Sequence, residues 1–265
     1  MMQNAFNFVL NILSRIKLWI FGEVIIMEDK ELYWNTKKPQ VTIVYKGRTM
    51  PSTKSPLDID VRQFIMPSDP SIQKELSDND LLVTETSSCD DIIVAIYKHI
   101  QQKFFNYEYD NVQFGVPELW MFPFELAATS KFNAQVKTKG DCDDWAITIA
   151  SYLIGAGVPY WRVRCVAGTT WGGFGHLTVY VLDDTLTTWR HINSTTPFNM
   201  ISQEFLEEFP TSNDQNDEMG IKDVWFSFSL NPHDIFQKTS WHEFETSAPL
   251  DEFKNEYKDL FIIKP

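Results

Sequence analysis

Ala146, Ile149, Ala150 and Leu153 recur at i, i+3, i+4 and i+7, a spacing that predicts a helix over 142–155 with one buried stripe. Asp141 and Asp144, three apart at its start, form a variant of the capping box, and Gly155 or Gly157 followed by Pro159 ends it. The same period predicts a helix over 87–105, with Ile92, Ile96, His99, Ile100 and Phe104 inward or nearly so. A short helix in 66–76 has Ser68 or Asp69 as its cap and Pro70 in its first turn. Residues 116–132 read as loop and short helix. At the N-terminus, Phe6, Val9, Leu10, Leu13, Ile16 and Ile20 outline an amphipathic helix.

Strand signals are of a different period. Alternation marks 40–47, 160–167, 176–182, 187–193 and 221–230 as strand candidates, separated by turn-rich stretches at 49–58 and 211–220. The stretch AGTTWGGFGH (167–176) is Gly-rich and aromatic, which suits either a mobile substrate loop or a plain hairpin connection. The tail after Asn231 is aromatic-rich without a placeable pattern, and no internal repeat occurs.

Length and composition narrow the class. The chain has 265 residues, of which 43% are hydrophobic, enough for a packed core. Its net charge is −13, and the first fifty residues run against that sign with seven Lys/Arg and four Asp/Glu. So acidic a surface repels phosphate backbones and excludes nucleic acid as a partner. Cys89, Cys142 and Cys165 are too few and too scattered for a disulfide framework or a zinc site, so a reducing, cytoplasmic setting is expected. Arg15 and Lys17 interrupt the N-terminal apolar run short of the roughly 20 residues a bilayer requires. That helix is expected to pack on its own domain, on a protein partner or on a membrane surface, and no secretory signal is expected. The low glycine content and the Asn/Lys/Ile/Phe-rich wording suit a bacterial or phage protein.

Candidate chemistry centres on Cys142. It falls at the first turn of the 142–155 helix, where free N–H groups and the helix dipole favour a thiolate. Asp141, Asp143 and Asp144 oppose that effect, so a basic partner is required. The hairpin of 176–182 and 187–193 supplies one. If Leu182 faces Thr187, His176 lies opposite Asn193, Thr178 opposite His191 and Tyr180 opposite Trp189. An Asn carbonyl there fixes the imidazole tautomer and frees the other ring nitrogen for the thiol. His191, on the same face, is a rival base. Cys89 and His99 read as structural residues of their helix.

The wording around these residues resembles a known family. GDCDDWA resembles the GDCEDYA-type motif of bacterial transglutaminase-like cysteine proteinases, within the papain-like superfamily. LIGAGVPYWRVRCVAG resembles the segment after that family's nucleophile helix, GHLTVYV its histidine strand and WRHINST its W-x-x-x-D-x-T ending. ELWMFPFEL resembles the W-x-x-P-x-E stretch, and FNYEYD the tyrosine that opens the core. The likeness covers about 60–200.

The resemblance implies an α+β papain-like transglutaminase core, with the nucleophile helix packed on an antiparallel sheet. The expected organisation is an N-terminal helix (1–27), the enzyme domain (28–200) and a C-terminal extension packed on the core (201–265). Carried over, Cys142 is nucleophile, His176 general base and acid, and Asn193 the orienter where Asp is usual; these form a catalytic triad. The oxyanion donor is the Cys142 N–H joined by Trp120 or Gln135. The resemblance to calcium-dependent relatives makes Asp141 and Asp143 candidate Ca²⁺ ligands, against simple helix capping. No resident metal or other cofactor is otherwise expected. The expected activity is cleavage of a protein or peptide amide through a Cys142 thioester. Its alternatives are glutamine transamidation or deamidation by the same triad, or a non-catalytic scaffold module of a larger, phage-type assembly.

Overall fold

A computed structural model describes residues 40–49, 55–84, 86–103, 105–131, 138–185, 188–193, 200–204, 218–230, 241–243 and 253–264. The chain divides into two units, Met1–Lys38 and Pro39–Pro265, and every described residue belongs to the second. The expected N-terminal helix lies outside the described residues.

The second unit is α+β. Its strands are β1 (Gln40–Thr49), β2 (Pro56–Asp60), β3 (Phe105–Tyr107), β4 (Thr138–Gly140), β5 (Val163–Thr170), β6 (Gly175–Leu182), β7 (Thr188–Ile192), β8 (Met200–Glu204), β9 (Ile221–Phe228), β10 (Trp241–Glu243) and β11 (Phe261–Lys264). Nine of them form one sheet in the order β11-β1-β10-β9-β5-β6-β7-β8, with β2 also on β1, and all its pairings are antiparallel. The boundary expected near residue 200 does not divide this sheet. β9 runs along β5, and β11 pairs with β1 from Thr42 to Tyr45.

The helices are α1 (Pro70–Asp78), α2 (Cys89–Lys103), α3 (Asp110–Gln113), α4 (Pro123–Lys131) and α5 (Cys142–Gly155). Asp69 caps α1 by accepting from Ser71 N and Ile72 N, and Pro70 occupies its first position. His99 on α2 meets Glu75 on α1 at 2.9 Å, and Cys89 is buried, as structural roles require. α5 packs on β5 and β6 and is flanked by α1, α2 and α4. Its burial is wider than one stripe, for every residue from Asp143 to Leu153 is buried. A helix enclosed on all sides is set rigidly, and so is whatever stands at its start.

The end of α5 is a paired C-cap. Val158 N–H bonds to Leu153 O and Gly157 N–H to Ile154 O, with Gly157 at φ 107° supplying the left-handed turn. Residues 160–162 then form a tight helical turn, so β5 begins three residues later than the alternation suggests. Among the described residues no helix is long and apolar enough to cross a membrane.

Candidate active site

The start of α5 is held from four directions. β3 and β4 form a parallel pair that aligns Tyr107 with Gly140, and Glu108 N–H extends it with a 3.1 Å bond to Gly140 O. Trp145, fully buried, donates its indole N–H to the same carbonyl at 2.9 Å. Asp144 accepts from Met121 N–H at 2.8 Å and from Asp141 N–H at 3.4 Å, the second being the reciprocal half of the expected capping box. Cys142 is the first residue of the helix, a half-buried thiol outside any disulfide.

The Leu177 backbone N–H pulls the Cys142 thiol down, and α5 packs on β6, the strand that carries Leu177. Among the described residues, β7 pairs with β6 from Val179 to Leu182. His176 precedes Leu177, pairs with Gly168 of β5 and is 4% exposed. Strand alternation sets it on one face with Thr178 and Tyr180, while Leu177, Val179 and Val181 join the core under α5.

The β6–β7 register differs from the expected one by two residues. Val179 pairs with Ile192, Tyr180 with His191 and Leu182 with Trp189. Asp183 closes the hairpin: its N–H bonds to Thr188 O, and its carboxylate accepts from Thr185 Oγ1 and Thr188 N. Leu182 therefore stays buried in the strand and does not open the turn. Continued by one residue, this register sets Asn193 opposite Thr178 and diagonal to His176. A shift of two preserves the face, so His176 and Asn193 remain on the same side. Asn193 is buried, and its backbone carbonyl accepts the Tyr97 hydroxyl at 2.6 Å, tying the end of β7 to α2.

His191 is held elsewhere. Its ring stacks on Tyr180 at 4.8 Å, and Nε2 lies 2.9 Å from Thr178 Oγ1. Thr178 also reaches Ile192 O, which can only accept, so the single hydroxyl proton goes there and His191 Nε2 is the donor. Trp120, a candidate oxyanion donor, directs its indole N–H to Glu118 Oε1 at 2.8 Å and its ring into a stack with Tyr45 and Phe228. Gln135 lies outside the described residues.

The surroundings are strongly acidic. Asp110, Asp141, Asp143 and Asp144 are all buried, and oxygens of Asp110, Asp141 and Asp144 lie within 4.8 Å of one another. Oxygens of Asp141 and Asp143 are equally close to the Cys142 sulfur. Burial and then Asp141 push the Asp110 carboxyl up to about 7, against one donor, Leu119 N–H. Glu118 is pushed up to about 8 by the same two causes. Burial, then Asp141 and Glu118, raise the Cys142 thiol well above the usual range, and only the Leu177 N–H among its chief influences works the other way.

The donor set fits a hard divalent cation. Asp110 Oδ1, Asp141 Oδ1 and both Asp143 oxygens are buried and receive no hydrogen bond from a donor among the described residues. Carboxylates so placed need protons or a cation bound through oxygen.

Asp110, Glu118 and Tyr257 are neighbours of this site that sequence reasoning did not single out. Tyr107 is influenced by Cys142 and packs edge-on against Tyr109 at 5.2 Å. The stretch FNYEYD carried a signal for Tyr107 and Asp110, whereas Glu118 sits unmarked beside Trp120. Tyr257 belongs to the patternless tail.

No family model and no curated protein matches the chain. Among solved structures, the chain is similar to Legionella pneumophila LapG, with a TM-score of 0.43 and 14% identity over 76% of this chain and 93% of that one. The EGTA-treated form of LapG gives a TM-score of 0.44 and 14% identity over 71% of this chain and 87% of that one. The calcium-bound form gives 0.41 and 16% identity over 71% and 85%.

Proposed function

We propose that this protein is a cysteine-dependent acyl-transfer enzyme, a transglutaminase-like peptidase working through a Cys142 thioester. The observation that carries the reading is that Cys142 opens a buried helix packed on β6, the strand whose second residue is the buried His176. His176 takes the thiol proton as sulfur attacks the amide carbonyl carbon, and returns it to the leaving amine nitrogen. Asn193 orients the ring. Water then hydrolyses the thioester. A reducing cytoplasm suits a thiol that must remain free.

The acidic surroundings oppose a thiolate, and the carboxylates of Asp110, Asp141, Asp143 and Asp144 are the groups that would hold a divalent cation such as Ca²⁺. Bound there, the cation would neutralise the charge that raises the thiol. The residues of this chain carry every bond-making step.

The test is incubation of the wild-type protein and Cys142→Ala with a proteome, with mass spectrometry of new N-termini, deamidated Gln and Gln–Lys cross-links. New termini made only by the wild type support the peptidase. Deamidated or cross-linked Gln in their place assigns the transamidase/deamidase alternative. Equal output from both proteins contradicts enzymatic function through Cys142 and favours a scaffold.

A further inference from the structure

Gly175, immediately before His176, leaves a gap that the C-terminal segment fills. A Cβ built on Gly175 would lie 2.8 Å from the Trp225 ring and 3.1 Å from the Tyr257 hydroxyl. Side chains alternate along a strand, so that missing Cβ points to the same face as Leu177, the face on which α5 packs. The Tyr257 hydroxyl therefore stands on the α5 side of β6, beside the residue that precedes His176.

The ring is fixed in place. Phe253, Trp225 and Phe261 surround it at 5.1, 5.9 and 6.2 Å, and Tyr257 N–H bonds to Phe253 O at 2.9 Å. Cys142 and Glu118 both act electrostatically on the hydroxyl, whose proton burial keeps firmly in place. Glu256 accepts a hydrogen bond from that hydroxyl, and being exposed it can turn to water when a stronger acceptor forms.

We propose that Tyr257 is the side-chain donor of the oxyanion hole, delivered to the Cys142 site from the end of the chain. This rests on the acyl-transfer reading above. As Cys142 sulfur bonds to the carbonyl carbon, the C=O π pair moves to oxygen, and that oxygen accepts the Tyr257 O–H and the Cys142 backbone N–H. When the pair returns, the C–N bond breaks and the nitrogen takes its proton from His176. Tyr257 keeps its own proton throughout. A neutral donor on a ring held by packing can turn its O–H to the developing charge, which such a step requires.

The experiment compares two reactions of the same thiol in the full chain. Acylation by p-nitrophenyl acetate passes through an oxyanion, whereas alkylation by iodoacetamide does not. Tyr257→Phe keeps the ring packing and should lower the acylation rate by about 100-fold, with alkylation within about twofold of wild type. Gly175→Ala, which displaces the hydroxyl, should lower the same ratio. Unchanged acylation in Tyr257→Phe overturns the proposal. So does an equal fall in both rates, which marks a residue that only positions the thiol. A wild-type protein neither acylated nor alkylated at Cys142 sinks the enzyme reading itself, and this proposal with it.

Discussion

The backbone N–H of Leu177, the residue after His176, favours the Cys142 thiolate. No side chain at Leu177 is needed for this effect, which comes from the backbone of β6. One N–H does not outweigh burial plus Asp141 and Glu118, so the resting thiol is raised. The pH profile of Cys142 alkylation should accordingly rise above the range of an ordinary thiol, near 8.5, in protein free of divalent cations. Glu118→Gln should move that profile to lower pH. A wild-type profile centred below 8 would contradict this electrostatic account.

Glu118 should also make stability depend on pH. Its carboxyl is raised to about 8 in the folded protein, against about 4.3 in the unfolded chain. The folded state thus binds the proton more tightly. The stabilisation is complete below about pH 4 and is lost as pH rises through about 8. Melting temperature should fall across that window, and the fall should be shallower in Glu118→Gln. Parallel pH curves for the two proteins would show that Glu118 does not carry the linkage.

The buried carboxylates predict an effect of calcium on folding. A cation that binds the folded state alone stabilises it by about 2.7 kcal/mol at a concentration of 100 Kd. Millimolar Ca²⁺ should raise the melting temperature of the wild type, and EGTA should reverse the rise. Asp141→Asn should abolish the response, since Asp141 belongs to both close-set groups. A wild-type melt indifferent to Ca²⁺ would leave the cluster to be satisfied by protons.

Cys165 separates fold from chemistry. It is fully buried on β5, with its sulfur 3.9 Å from Ala146 O of α5. Cys165→Ala should cost about 1 kcal/mol in denaturant unfolding, the usual size for a small buried loss. Its Cys142 alkylation rate should equal that of wild type. A changed rate would mean that β5 packing tunes the thiol.

Much of this was legible in local pattern. The α5 bounds follow from its stripe, its acidic start and its glycine-proline end, all of which act within a few residues. The hairpin register did not follow, because Asp183 and Leu182 compete to close a turn of the same length, and only burial of Leu182 decides between them. The β3–β4 pair was invisible, as three-residue strands carry no period. The carboxylate cluster joins Asp110 to Asp141 and Asp144 across a long chain separation. Sequence showed Asp141 and Asp144 as helix caps, and nothing local announced their third partner. Tyr257 meets Gly175, beside His176, across a chain separation just as long.

The central claim is that His176 activates Cys142. Its most direct test is the rate of iodoacetamide labelling at Cys142, followed by intact-mass spectrometry at neutral pH with Ca²⁺ present. Wild type should label at Cys142 ahead of buried Cys89 and Cys165. His176→Ala should label about 100-fold more slowly, as loss of a general base requires, with its melting temperature little changed. Asn193→Ala should fall between the two, and Asn193→Asp should match or exceed wild type. Equal labelling rates in wild type and His176→Ala, with both proteins folded, would contradict the account.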